Sequence, residues 1–361
     1  MKVIVDDKIP YIREAIEQIA DEVVYTSGNK FTPDLIKDAD ALIIRTRTLC
    51  NTELLKGSSV QFIATATIGY DHIDTEYCRQ AGITWTNAPG CNADSVAQYV
   101  ESSLLLLQKK GSIRLEGACI GVIGTGNVGS KVVEMCRSHG MKIRKNDPPL
   151  QDKYPDSIGE YSTIEQIAQE CDVITFHTLL NREGKYKSFH LGDEAFFSLL
   201  NSASPAIIIN SSRGEVVKTE ALLNAMDSGK ISEAIIDVWE GEPDIDKELL
   251  AKAFIATPHI AGYSADGKAN ATRMSLEALC KHFNKPFHYE INPPAPPEKT
   301  IITDLMDNAL LEIYDPAIDS DQLKKHPELF EQLRGNYPLR REKTAYKVVK
   351  INDKYFLYAL P

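Results

Sequence analysis

Apolar and polar positions along most of the chain alternate between short apolar runs and longer stretches of helical spacing. Lys2–Val5 is a short run rich in β-branched residues. Pro10–Ala20 follows, with Ile12, Ala15, Ile16 and Ile19 on one helical face. Ala41–Ile44, Phe62–Ala64 and Ile83–Thr86 read as further strands, and Asp94–Lys109 as a long connecting helix. The pattern then recurs. Strands are predicted at Ala118–Ile123, Met141–Asn146, Asp172–Phe176, Ala206–Ile209, Ala234–Val238 and Phe254–Ala256. Between them lie helices carrying Val128, Val132, Met135 and Cys136 on one face, then Thr163–Gln169, capped by Thr163, and Thr219–Met226. Such alternation predicts parallel sheets covered by helices. A helix over Gly267–Phe283 is expected to return to the first domain, and Pro293-Pro294-Ala295-Pro296-Pro297 is a stiff linker. The fold class is α/β: a flavodoxin-like domain, discontinuous in sequence, over 1–94 plus 263–285, a doubly wound parallel-sheet domain over 95–262, and a small C-terminal α+β domain over 286–361. In the last, a strand is expected at Ala345–Ile351.

With 361 residues there is room for two or three such domains, and 43% hydrophobic with 25% charged residues suits a globular chain. The net charge of −11 gives no support for a nucleic-acid partner. Asp6 and Asp7 interrupt the apolar run that a signal peptide needs, and stretches such as Leu104–Leu107 are too short to cross a bilayer. Seven scattered cysteines without a C-x-x-C pair read as reduced thiols. The expectation is a cytoplasmic protein with no membrane partner, no metal site and no disulfide framework.

Gly124-Thr125-Gly126-Asn127-Val128-Gly129 changes the picture. These glycines, spaced G-x-G-x-x-G, close one predicted strand and open a helix, as a dinucleotide-binding βαβ unit requires. Gly124 permits the tight turn, Gly126 lets backbone approach the pyrophosphate, and Gly129 lets helix and strand pack closely. The diphosphate would sit on the free N–H groups of the helix start, around Asn127 and Val128. Asp147, 18 residues past Gly129, would accept from both ribose hydroxyls and repel the extra phosphate of NADP, which favours NAD.

Polar residues gather at the ends of later strands. Arg213 follows Ile207–Asn210, Glu242 lies in Asp237–Pro243, and His259 lies in Thr257–Gly262. Oxidising an alcohol by hydride transfer needs a base for the hydroxyl proton, which histidine suits. A carboxylate beside it would orient the imidazole and stabilise the charge it gains. An arginine fork matches a substrate carboxylate. His259 is thus the candidate base, Glu242 its partner and Arg213 the clamp. In the first domain, the polar loops at Arg45–Thr48 and Thr65–Asp74 follow strands and are candidates for substrate contact.

The segments Gly124–Gly129, Asn210–Gly214, Asp237–Pro243 and Pro258–Gly262 resemble the D-isomer-specific 2-hydroxyacid dehydrogenase family. That resemblance implies an NAD-dependent oxidoreductase whose catalytic Arg, Glu and His fall on Arg213, Glu242 and His259. It also implies NAD contacts at Asp147, Thr178, Ser211, Ser212, Arg213, Asp237 and Gly262, and a substrate domain acting as a lid. Finer features resemble one branch, which oxidises a phosphorylated hydroxy acid on the route to vitamin B6. They are Thr65–His72, Ala88–Ala93, Lys185–Leu191, Asp237–Pro243 and His259–Ala269. The branch implies substrate contacts at Thr46, Thr67 and Tyr263. Thr46 stands where the branch usually has serine, which keeps the hydroxyl. The tail is similar to the branch's dimerisation domain in Asn336-Tyr337 and Arg340-Arg341-Glu342, which implies a homodimer.

A phosphorylated substrate needs a cation beyond the carboxylate clamp. Arg45 and Arg47, flanking Thr46, are the candidates; Arg340 and Arg341 could reach over from a partner subunit, but solvated surface is the favoured reading of both. Two other readings stay open: a sister dehydrogenase such as 3-phosphoglycerate dehydrogenase, and an NAD-sensing scaffold that works through protein partners.

Overall fold

A computed structural model describes residues 1–155, 161–201 and 203–350. The chain divides into two compact units, residues 1–92 with 264–295, and residues 93–263 with 296 onward.

The first unit is built on β1 (Lys2–Asp6), β2 (Glu22–Thr26), β3 (Ala41–Ile44), β4 (Phe62–Thr65) and β5 (Thr84–Thr86). They lie in the order β2-β1-β3-β4-β5 and every neighbouring pair is parallel, the flavodoxin-like order. Strand residues point alternately to the two faces. Val3, Val5, Ala41, Ile43 and Phe62 meet Ile16 and Ile19 from one helix and Leu276 and Leu279 from the helix Ala265–His282. Ile4, Leu42, Ile44 and Ile63 meet Ile36, Leu54, Leu55 and Cys78 on the other side. Strand β2 escapes the sequence pattern because it is an edge strand with no fully buried residue, so no alternation marks it.

The second unit carries β6 (Cys119–Ile123), β7 (Lys142–Asn146), β8 (Val173–Phe176), β9 (Ala206–Asn210), β10 (Ile231–Ile236) and β11 (Ile255–Ala256). Their order is β11-β10-β9-β8-β6-β7, again all parallel. The order reverses at β6. The crevice beyond the carboxyl ends of β6 and β8 is therefore the switch point at which open α/β sheets bind ligands.

Residues 296–350 pack within this second unit. β12 (Thr300–Thr303) and β13 (Lys347–Lys350) form a parallel pair, with helices Met306–Ile313, Pro316–Lys325 and Phe330–Gly335 between them. The expected strand over 345–351 is realised over Lys347–Lys350; residue 351 lies outside the described residues. Leu310 and Tyr314 join the core on one face of the six-stranded sheet, and Leu323 and Phe330 join the core on the other. Ser320 Oγ accepts from the Ala256 N–H at 3.0 Å, occupying a donor of edge strand β11.

The helix Ala93–Lys110 is buried on nearly every side, although it carries Ser95, Gln98 and Glu101. Buried polar groups need partners. Glu101 pairs with His139 at 2.9 Å and with Lys343 at 2.9 Å. Ser95 and Gln98 accept from Arg340. Arg340 is therefore no solvated surface residue: it is 5% exposed and lies 3.9 Å over the Tyr314 ring. No helix among the described residues is long and apolar enough to cross a membrane.

Candidate active site

The turn after β6 follows the chemistry of its glycines. Gly124 has φ +84°, and a Cβ there would lie 2.7 Å from the His177 carbonyl oxygen. At Gly129 a Cβ would lie 1.9 Å from the Gly124 carbonyl oxygen, so helix and turn can touch only without one. Gly126 differs, because a Cβ there meets no protein atom within 4 Å. Its missing side chain keeps room for something other than protein. Gly126 caps the helix Asn127–Ser138 without a side-chain bond, leaving the first amides, at Asn127 and Val128, available to an anion.

Asp147 ends β7 and is 8% exposed. One carboxylate oxygen accepts from the Thr125 N–H at 2.6 Å, and the other caps the next helix through the Leu150 N–H at 3.0 Å. It thus braces the glycine turn from the ribose side. At the ends of β8 and β9, the buried hydroxyls of Thr178 and Ser211 and Nδ1 of His177 have no protein partner. Orphaned buried polar atoms are rare; His177 and Thr178 abut Gly124 at the switch point, and Ser211 follows the neighbouring strand β9. His177 is neutral there, because burial drives its pKa down to about 3. Free amides, an open glycine cradle, a ribose-side carboxylate and unmet hydroxyls fit a dinucleotide.

Three adjacent parallel strands, β9, β10 and β11, carry the ionisable residues at their carboxyl ends. Nδ1 of His259 and a carboxylate oxygen of Glu242 are 2.8 Å apart, and the other oxygen of Glu242 accepts from the Trp239 N–H at 2.8 Å. Burial alone would raise the Glu242 pKa. The His259 hydrogen bond and charge, the Trp239 N–H and the positive charge of Arg334 outweigh it and hold the carboxyl below its ordinary range. Nδ1 is taken by Glu242, so Nε2 is the nitrogen that can receive a proton.

His259 has φ +57°, an unusual backbone for a side chain with a Cβ. Its loop is held in that shape by Asp237. The Asp237 carboxylate accepts from Thr257 Oγ1 (2.6 Å), Ile260 N (2.8 Å) and Ala261 N (2.9 Å), and its carbonyl accepts from the His259 N–H at 2.8 Å. Tyr99 backs the arrangement by donating to Thr257 at 2.8 Å. Burial, only partly offset by the His259 charge and those bonds, raises the Asp237 pKa. Asp237 was expected as an NAD contact; at 1% exposure, both its oxygens are engaged with this loop. From the other side, Arg340 donates to the carbonyls of Ile260 (3.3 Å) and Ala261 (3.0 Å). Gly262 and Tyr263 follow directly.

Arg213 stands on a turn knotted by Asn210, whose side chain accepts from the Ser212 N–H (3.2 Å) and hydroxyl (3.0 Å) and donates to the Arg213 carbonyl (3.0 Å). A Cβ on Gly214 would lie 2.0 Å from the Trp239 carbonyl, so this turn abuts the backbone that holds Glu242. Arg213 donates to the Ser212 carbonyl at 2.7 Å and pairs with no carboxylate among the described residues. The 185–191 segment is tied to two places: His190 bonds Glu240, past the end of β10, at 2.6 Å, and Tyr186 donates at 2.6 Å to Asp152, on the short helix that follows β7.

Thr46, Thr67, Arg45 and Arg47 belong to the first unit, at the carboxyl ends of β3 and β4. Thr46 and Arg47 are exposed, and Arg45 donates to the Lys8 carbonyl at 3.2 Å. Thr67 donates to the Gly69 carbonyl at 2.9 Å, and its hydroxyl lies 2.6 Å from that of Thr65. Sequence reasoning missed Arg334, whose Nε donates to the Tyr263 hydroxyl at 3.1 Å, and the loop-holding part of Arg340. Their partners, Tyr263 for Arg334 and Ser95 for Arg340, lie 71 and 245 residues away, so no local pattern marks either.

Residues 95–261 match the family described as D-isomer specific 2-hydroxyacid dehydrogenase, NAD binding domain. Residues 296–357 match a domain of unknown function, DUF3410. Erythronate-4-phosphate dehydrogenase of Bacteroides fragilis is 61% identical over 349 residues, which is 97% of this chain and 99% of that one. The chain belongs to the erythronate-4-phosphate dehydrogenase family. A member from Proteus mirabilis is 38% identical, across 97% of this chain and 95% of its own. Among solved structures, NAD⁺-bound 3-phosphoglycerate dehydrogenase of Entamoeba histolytica superposes with a TM-score of 0.64 at 28% identity, covering 79% of this chain and 95% of that one. D-lactate dehydrogenase of Aquifex aeolicus, complexed with NAD and lactic acid, shares the fold: TM-score 0.59, 24% identity, 79% of this chain and 96% of that one. Family membership makes this chain an NAD-dependent oxidoreductase of the 2-hydroxyacid dehydrogenase type.

Proposed function

We propose that this chain oxidises the 2-hydroxyl of 4-phospho-D-erythronate with NAD⁺ to (R)-3-hydroxy-2-oxo-4-phosphooxybutanoate and NADH, in pyridoxal 5′-phosphate biosynthesis. The observation that carries this reading is the His259–Glu242 pair, 2.8 Å apart, in a chain of this family. His259 Nε2 removes the hydroxyl proton, and Glu242 stabilises the imidazolium that results. NAD, when bound, accepts the hydride that leaves carbon 2. Arg213 clamps the substrate carboxylate and so fixes which face of that carbon is presented. Thr46, Thr67 and Tyr263 contact the substrate, and Arg45 and Arg47 take its phosphate. Gly124, Gly126, Asn127, Val128 and Gly129 cradle the diphosphate. Asp147 reads the ribose, and Thr178, Ser211, Ser212, Arg213 and Gly262 complete the cofactor contacts, with Asp237 behind them holding the His259 loop.

The enzyme is a cytoplasmic homodimer joined through its C-terminal domain. Ile302, Leu305, Ile318 and Leu339 support that reading, since each of these large apolar side chains of the tail is half or more exposed. Charged replacements at Ile302 and Ile318 should yield a monomer by light scattering.

The deciding experiment follows NADH formation with 4-phosphoerythronate and with 3-phosphoglycerate. A clear preference for the first is expected. Equal turnover of 3-phosphoglycerate refutes the substrate assignment. No NADH from either acid refutes the enzyme and leaves the sensing scaffold. Unchanged KM for phosphoerythronate after alanine replacement of Arg45 and Arg47 refutes their contact with the phosphate.

A further inference from the structure

The C-terminal segment reaches the site through one short helix. Phe330, 1% exposed, anchors Phe330–Gly335 in the core, and Arg334 lies four residues on, on the same helical face. The Arg334 side chain is 29% exposed, and its nearest carboxylate among the described residues, on exposed Glu331, is 3.8 Å from Nη1. Its Nε–H is committed to the Tyr263 hydroxyl at 3.1 Å. Tyr337, three residues further along, sets its ring edge-on to the Tyr263 ring at 6.2 Å and 78°. Two residues of the tail thus bracket one tyrosine of the site. The Tyr263 backbone is equally fixed, because its N–H donates at 2.8 Å to Ile260, within the peptide gripped by Asp237 and Arg340.

Direction follows from the chemistry of the donor. A guanidinium can only donate, so the phenol oxygen accepts and its own hydrogen is turned away from Arg334. A hydroxyl that accepts from a cation is polarised and becomes a stronger donor. We propose that Arg334 is a positioning residue, which fixes the Tyr263 hydroxyl so that it donates to an oxygen of the bound hydroxy acid. The domain of unknown function thereby completes the substrate site of its own chain. This deepens the 2-hydroxy-acid reading and rests on it.

Four proteins test it beside the wild type: Arg334→Met, Arg334→Lys, Tyr263→Phe and the double variant Tyr263→Phe/Arg334→Met. Steady-state rates are taken with 4-phosphoerythronate and NAD varied separately. Losing one oriented hydrogen bond should raise KM for the hydroxy acid about tenfold, which is ~1.4 kcal/mol. KM for NAD should stay within about twofold. Tyr263→Phe should give the same rise, and the double variant should be no worse than either single one. Arg334→Lys keeps a donor and should recover most of the loss. Additive effects in the double variant overturn the proposal, as does a lower melting temperature with unaltered KM for the hydroxy acid. Should the wild type turn over a different 2-hydroxy acid, the substrate assignment fails and the same cycle is read on that acid. A wild type that oxidises no 2-hydroxy acid overturns both.

Discussion

Glu242→Gln changes one oxygen to nitrogen and almost no volume, yet the site cannot absorb it. In the wild type one carboxylate oxygen accepts from Trp239 N–H and the other faces His259 Nδ1, each at 2.8 Å. A glutamine has one acceptor and one donor group. If its oxygen keeps Trp239, its NH₂ faces Nδ1, which must then accept. The ring proton moves to Nε2, and the base is gone. If its oxygen faces Nδ1, the NH₂ opposes the Trp239 N–H, and an unmet buried donor costs about 1–3 kcal/mol. In that orientation the new imidazolium also loses its carboxylate, a charge-assisted bond worth about 1.5–3 kcal/mol. The first cost drives the glutamine towards the orientation that has no base, and in the other the lost ~1.5–3 kcal/mol is about 10–10² in kcat, so a fall of at least that size is expected. NADH absorbance gives kcat, and fluorescence titration gives the Kd for NAD, which should not change. A kcat loss below about threefold would mean that Glu242 does not govern the imidazole and would refute the reasoning. The sign with pH is also fixed. Glu242 is held below the ordinary carboxylate range, so its contribution to stability is present above that range and is lost as pH falls through its folded value. Glu242→Gln should lack that acid-side loss in thermal unfolding.

Gly126→Ala and Gly129→Ala should separate binding from folding. The first meets no protein atom within 4 Å, so its melting temperature should hold while NAD affinity falls; the second strikes Gly124 at 1.9 Å and should cost ~3 kcal/mol or more in denaturant unfolding. Asp147→Ala removes a helix cap worth about 1 kcal/mol, and it should narrow the preference for NAD over NADP in a comparison of kcat/KM. Arg340→Met removes a donor from three buried carbonyls, of which Ile260 keeps the Tyr263 N–H and Ala261 keeps the Ser95 hydroxyl, so the melting temperature should fall by what one or two lost buried bonds cost, ~1–3 kcal/mol.

What the sequence reveals and what it hides divides along physical lines. The glycine turn is legible because backbone sterics demand glycine at fixed offsets between a strand and a helix. The two sheets are legible because buried parallel strands are short, apolar and β-branched. Arg213, Glu242 and His259 are legible because each ends a strand of one sheet, where polar residues have no packing reason to be. Arg340 was misread as solvated surface because its partner Ser95 lies 245 residues away, beyond any local pattern. Strand β2 was hidden by its half-exposed edge position. The second occupation of Asp147, bracing Thr125 while capping a helix, needs coordinates to be seen.

The backbone of His259 carries a consequence for evolution. A β-carbon at φ +57° costs roughly 1–2 kcal/mol, which glycine would not incur. A protein with His259→Gly and Glu242→Gln together, which leaves no carboxylate stranded, should melt no lower than its parent and oxidise nothing. Selection for heat resistance alone would therefore drift away from imidazole at this position. Only the demand for turnover keeps the less comfortable residue where it is.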